Sequence, residues 1–219
     1  ERAMRQRNRL LETAGARAAE FEGLELVMAE TGTAIAAGRL EAVTRLRRTI
    51  EARARREPDS AFPWAEIGLD GALERQLGAR PAIEVEDAYA EALARGRDRD
   101  RAAGRTLEGP HLADFIVVHG PKSMPARLSS TGEQKALLIG LVLAHAVHVA
   151  GVRAGGPPVL LLDEIAAHLD EFRRAALFDE IARLGAQTVL TGTDRAPFES
   201  LAGRALFLVA EDGHVHRGN

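Results

Sequence analysis

At 219 residues, 46% hydrophobic and 28% charged, the chain has an ordinary globular composition and enough length to bury a core in one or two domains. The absence of cysteine excludes disulfides and thiolate metal sites and fits a reducing cytoplasm. A net charge of −3 excludes a global attraction to nucleic acid, so any such binding must be local. No apolar run is expected to reach the ~18 residues of a bilayer span, the longest being interrupted by His145 and His148, and the charged opening Glu1-Arg2-Ala3-Met4-Arg5 does not read as a secretory leader.

Residues 1–21 read as a helix, with Leu10, Leu11, Ala14, Ala18 and Phe21 on one face among Arg2, Arg5, Arg7, Arg9 and Glu12. A break is expected at Glu22-Gly23. A second helix over 24–56 follows, with an intermittent stripe of Leu26, Ile35, Leu40, Val43, Leu46 and Ile50, weakened by Gly32 and Gly38 and ended by Glu57-Pro58-Asp59. Two charged helices in succession suggest an antiparallel arm or the base of a coiled coil. Near the end of the second, Arg45, Arg47, Arg48, Arg53, Arg55 and Arg56 form either a solvated face or a phosphate-contacting stripe. An extended segment through Ile67-Gly68-Leu69 leads towards a helix, and 84–99 reads as a further helix with Ala88, Ala92 and Arg95 along one side. In its dense end, Arg95, Arg97, Asp98, Arg99, Asp100, Arg101 and Arg105, an ion-pair network and nucleic-acid contact compete.

From Thr106 strands and helices alternate, which argues for an α/β layer. A strand is expected over 115–118, a helix over 136–150 and a wholly apolar, buried strand over 159–162. Then come a helix through Leu184 with Phe172, Ala176, Leu177, Ile181 and Leu184 inward, a strand over 188–190 and a closing hairpin turning at Asp212-Gly213. The expected domains are therefore a helical part, 1–105, and an α/β part, 106–219.

Two stretches carry chemistry. Ser129-Ser130-Thr131-Gly132-Glu133-Gln134-Lys135 is a turn opening a helix, where free N–H groups and the positive end of the macrodipole suit a phosphate. Val159-Leu160-Leu161-Leu162-Asp163-Glu164 is a strand that delivers two carboxylates to the ligand-binding edge of a sheet. Each has a plainer reading, an ordinary N-cap and an ordinary strand end. Their order is what distinguishes them: turn, helix, Gly155-Gly156-Pro157-Pro158 loop, acidic strand, then Ala167-His168-Leu169-Asp170 at the next helix.

This arrangement resembles the ATP-binding-cassette ATPases, with Ser130 to Glu133 as signature motif, Asp163-Glu164 as the end of Walker B and Asp170 as the D-loop aspartate. Gly109-Pro110-His111 with Asp114, taken together with these motifs and Lys135, resembles the RecF family of recombination mediators, most strongly over 106–194. Leu112 stands where that family's pattern has arginine, and Thr191-Gly192-Thr193-Asp194 carries no switch histidine. No G-x-x-x-x-G-K-[ST] phosphate loop is present, so the chain is expected to be the carboxyl-terminal part of a longer protein and inactive alone.

The resemblance implies an α/β fold, the carboxyl-terminal part of a cassette ATPase head with an inserted helical arm: arm or lobe II in 1–105 and ATPase lobe in 106–219. It implies ATP and Mg2+ as cofactors and a homodimer closed by ATP, with Ser130, Thr131, Gly132, Glu133 and Asp170 acting on nucleotide held by the other subunit. Asp163 would hold Mg2+ and Glu164 would polarise the attacking water. It further implies a cytoplasmic protein that binds duplex DNA beside gaps, works with partner mediator proteins to load recombinase, and needs no membrane. Candidate DNA contacts are Arg45, Arg48, Arg55, Arg97 and Arg101, and one Trp and one Tyr leave too few aromatics for base stacking. Another cassette ATPase of DNA repair or chromosome organisation, or a non-catalytic domain with a degenerate cassette fold, are the alternatives. His145 with His148, and His214 with His216, lack a third ligand for zinc, and no G-x-S-x-G elbow is present.

Overall fold

The computed structural model describes residues 1–152, 155–166 and 169–218; Ala167 and His168 of the D-loop-like segment lie outside the described residues. The chain divides into two compact units, one made of 1–48 and 66–118, the other of 49–65 and 119–219. The division by contact thus falls after Val118, whereas the change of sequence texture falls at Thr106, and the stretch 49–65 belongs with the later half of the chain.

In the first unit α1 (Arg2–Glu12) ends well before the expected break. Gly15 takes the left-handed conformation at φ 79°, where an L side chain is strained, and it turns the chain into α2 (Ala18–Arg56). That helix runs 39 residues without interruption through Gly32 and Gly38. Gly32 is a packing requirement, since a Cβ there would meet the Tyr89 ring at 2.8 Å. Strand β1 (Ala65–Asp70) hydrogen-bonds to β2 (Asp114–His119), with α3 (Ala72–Leu77), α4 (Ala82–Arg95) and α5 (Arg97–Ala103) between them in sequence. The inward face of α4 is Val85, Tyr89 and Leu93, one step round from the side that carries Ala88, Ala92 and Arg95. The larger side chains win the core because they remove more apolar surface from water; Met28, Ala29, Ala36 and Leu73 complete the cluster.

Arg7 falls on the face of α1 that sequence alone assigns to solvent, yet it is fully buried. Its guanidinium donates to Glu25 at 3.0 Å, Asp100 at 2.7 Å, Thr106 Oγ1 at 2.9 Å and the Leu93 carbonyl at 2.7 Å. Burial alone would raise the Glu25 carboxyl pKa; hydrogen bonds from Arg97 and Arg7 outweigh it, so the group is held below its ordinary value.

The second unit is built on α6 (Thr131–Val152), the parallel pair β4 (Leu160–Leu162) and β5 (Thr188–Leu190), and α7 (Glu171–Leu184) between those strands in sequence. Leu160 faces Thr188, Leu161 faces Val189 and Leu162 faces Leu190. Ala136, Ile139, Leu143 and Ala146 of α6 pack with Leu160, Leu162, Leu177, Phe178 and Ile181 in one core. Three expectations need correction here. Strand β4 is half-buried rather than buried, Leu161 being 75% exposed, because only one face of this two-stranded sheet is covered. Phe172, in the first turn of α7, points outward and Phe178 takes the inward place. Helix α6, at 22 residues, is long and apolar enough by length and composition to cross a bilayer, since two histidines do not lower its hydropathy enough; in this unit one of its faces lies in the core. A two-residue strand, β3 (Met124–Pro125), precedes α6, and β6 (Leu208–Glu211) pairs antiparallel with β7 (His214–Arg217) around Asp212-Gly213, as expected.

Candidate active site

Helix α6 begins at the serine-glycine turn through a capping box. The Ser130 N–H donates to Glu133 Oε2 at 3.0 Å, and the Glu133 N–H donates to Ser130 Oγ at 3.4 Å. Gln134 Nε2 ties the turn down from the other side, donating to the Ser129 carbonyl at 2.9 Å. Lys122 Nζ contacts Glu133 Oε1, and with the Ser130 hydrogen bonds it lowers the Glu133 carboxyl pKa to about 2. Ser130 is therefore a true N-cap, and the plainer reading of this motif is correct as far as it goes. Gly132 shows what it leaves out. A Cβ there would meet nothing within 4 Å, and its backbone is not left-handed, so nothing inside the chain requires glycine. Ser130, Thr131 and Gly132 are all exposed at the start of the helix, where an anion can approach the N–H groups without side-chain hindrance.

Strand β4 delivers Asp163 and Glu164 just past its last paired residue. Neither is sealed in the core: Asp163 is exposed and Glu164 half-buried. Glu164 adopts φ 51°, a left-handed conformation that costs a residue with a Cβ about 1–2 kcal/mol. Thr191, the residue after β5, ties the Asp163 side chain to the Glu164 backbone: its hydroxyl donates to Asp163 Oδ1 and accepts the Glu164 N–H at 3.0 Å. Sequence reading took Thr191 only as a strand terminus; the signal was the parallel register, which sets it beside Asp163 once β4 and β5 are paired. Lys122, 11 residues before Glu133, carries no motif of its own in the sequence.

Asp170 is the N-cap of α7, accepting the Arg173 N–H at 2.8 Å and pairing with the Arg173 guanidinium at 3.1 Å. The candidate DNA arginines separate by their partners. Arg97 is held by Glu25 and lies 5.0 Å from the Phe21 ring centroid, and Arg101 donates to the Leu11 carbonyl and pairs with Asp98. Arg97 is thus committed to the first unit's interior network, whereas Arg101 is exposed and pairs with an exposed carboxylate. Arg45 contacts Glu41, Arg55 lies 4.0 Å from Glu51, and Arg48 is exposed on α2.

The donor set fits a hard cation such as Mg2+ sparingly. Among the described residues no group of three or more His, Asp or Glu side chains gathers to hold a metal alone. One or two carboxylates are what Mg2+ takes from protein when phosphate oxygens and water complete its shell.

No family model matches the chain. Its sequence is 56% identical over 216 residues to the DNA replication and repair protein RecF of Mesorhizobium japonicum, covering 98% of this chain and 56% of that protein. It is 53% identical over 215 residues to the RecF of Brucella abortus, covering 98% and 55%. The chain thus spans about half the length of the curated relatives it matches. Two solved structures of the recombination mediator protein RecF in the RecFOR pathway, with ATPrS and with ATP, share the fold at TM-scores of 0.78 and 0.76 with 22% and 21% identity, each covering 99% of this chain and 56% of the other.

Proposed function

The chain belongs to the RecF family, and from that premise we propose that it supplies the signature turn, twin carboxylates and D-loop of an ATP-controlled recombination mediator acting at gapped DNA. The observation that carries the reading is the pair Asp163 and Glu164, fixed at a strand end in the same unit as an open, capped glycine turn. Phosphoryl transfer asks of a protein chiefly positioning and charge neutralisation. Asp163 would hold Mg2+, whose contribution when bound is to neutralise phosphate charge. Glu164 orients water and takes its proton. Thr131 and Gly132 present backbone N–H groups to an incoming phosphate, while Ser130 and Glu133 hold the turn in shape.

A signature turn of this kind acts on nucleotide bound by a second copy, so ATP would close an isologous dimer. ATP then keeps the clamp on DNA and hydrolysis releases it, in concert with partner mediator proteins in the cytoplasm. The unit of 1–48 and 66–118 would be the arm-like lobe of this machine and the unit of 49–65 and 119–219 its catalytic lobe. DNA contact through this chain falls to the exposed Arg45, Arg48, Arg55 and Arg101 rather than to Arg97, and is made with phosphates. The test is made in a protein of the relatives' full length. Glu164→Gln should abolish ATP hydrolysis and accumulate an ATP-bound dimer by sedimentation velocity; a Glu164→Gln protein that hydrolyses ATP at the parent rate overturns the reading.

A further inference from the structure

We propose that Thr191 is a positioning residue for hydrolysis, a single hydroxyl that fixes the Asp163 carboxylate and the Glu164 backbone at once; the inference rests on the roles given above to Asp163 and Glu164. The parallel register pairs Leu162 with Leu190, and the ladder extends one bond further, the Thr191 N–H donating to the Leu162 carbonyl at 3.2 Å. That bond sets the threonine backbone beside the carboxylates. A hydroxyl has one proton and two acceptor positions. Its proton goes to Asp163 Oδ1, which leaves the oxygen's lone pairs turned to the Glu164 N–H at 3.0 Å. The two bonds are therefore coupled, because the proton's direction decides where the acceptor faces. The β-branched side chain adds stiffness at χ1, so the bridge holds its geometry while the site is empty.

The Glu164 N–H has no place in a helix or strand ladder, and its residue sits in a conformation that L side chains avoid. Such backbone strain persists only where surroundings impose it. Thr191 supplies that constraint from the neighbouring strand. Removing the hydroxyl frees Glu164 to relax towards an ordinary conformation, turning its carboxylate away from the position the strand end gives it. It also removes a hydrogen bond from the carboxylate that would meet the metal, the kind of outer partner whose loss weakens metal affinity by about 10–100-fold. The residue touches neither nucleotide nor water in this scheme; it acts through the two that do.

Thr191→Val, nearly the same volume without the hydroxyl, is compared with Thr191→Ser, which keeps it, in a protein of the relatives' full length. Amide hydrogen exchange at Glu164 should speed up about tenfold in Thr191→Val and stay near the parent value in Thr191→Ser. Mn2+ affinity in the presence of a non-hydrolysable ATP analogue, read by electron paramagnetic resonance, should fall about 10–100-fold in the valine variant and return with serine. In the same series kcat should fall in the valine variant and return with serine. Parent-like exchange and Mn2+ affinity in Thr191→Val, in a protein whose Glu164→Gln variant is inactive, overturn this inference and leave the functional reading standing. Full hydrolysis by Glu164→Gln removes that reading, and this inference with it.

Discussion

Glu133 joins the serine-glycine turn to Lys122, and its titration follows from that contact. With its pKa lowered to about 2 in the folded chain, first by the Lys122 contact and then by the Ser130 hydrogen bonds, the group stabilises the fold at pH values above the ordinary carboxylate range. That contribution fades as pH falls towards about 2. Carbon-detected NMR titration should place the group there, and Lys122→Met should move it back up towards the ordinary value; an unchanged titration would show that Lys122 is not the cause. Much of this site was legible from the order of residues, because Ser130, Gly132, Asp163 and Glu164 sit in short local motifs. Thr191 and Lys122 were not, since each meets its partner only after the chain has folded back, across 28 and 11 residues.

Among the elements, α1 and α6 show where periodicity misleads. Arg7 was assigned to a wet face because charged residues seldom go inside; it is inside because Glu25, Asp100, Thr106 and the Leu93 carbonyl together use its donors. Arg7→Leu leaves two carboxylates buried without it, and should cost about 3–5 kcal/mol in urea-induced unfolding. A loss below about 1 kcal/mol would mean that the network adds nothing beyond its packing. In α6, Gly140 stands in an apolar run that gives no sign of its neighbour. A Cβ there would lie 2.9 Å from the Pro63 carbonyl oxygen, so the glycine sets how close the 62–63 segment comes to the helix. Gly140→Ala should destabilise by about 1–3 kcal/mol through overpacking, despite alanine's better helix propensity. A stabilised variant would show that this approach is loose.

For the whole molecule, alternation of strand and helix after Thr106 foretold an α/β layer, and the paired strands β4 and β5 with their intervening helix form it. The division into units was less legible. Sequence texture changes at 105 whereas contacts change after 118, and no composition signal marks 49–65 as belonging with the later unit, because α2 runs on through Arg48 and Thr49 without a break. The half-covered β4 was hidden for a related reason: an unbroken apolar run reads the same whether one face or two are packed.

The central claim is that the glycine turn of one copy acts on ATP held by another. This chain holds no cysteine, so a thiol placed in it is distinctive once any cysteine in the rest of a full-length protein is replaced. In a protein of the relatives' full length, Ser130→Cys is placed in a protomer whose own phosphate loop is disabled, and that protomer is mixed with an intact one and ATP bearing a thiol-reactive γ-phosphate. The account predicts that the Ser130→Cys protomer is labelled only when the intact protomer is present. Equal labelling without it, or none with it, would contradict the account.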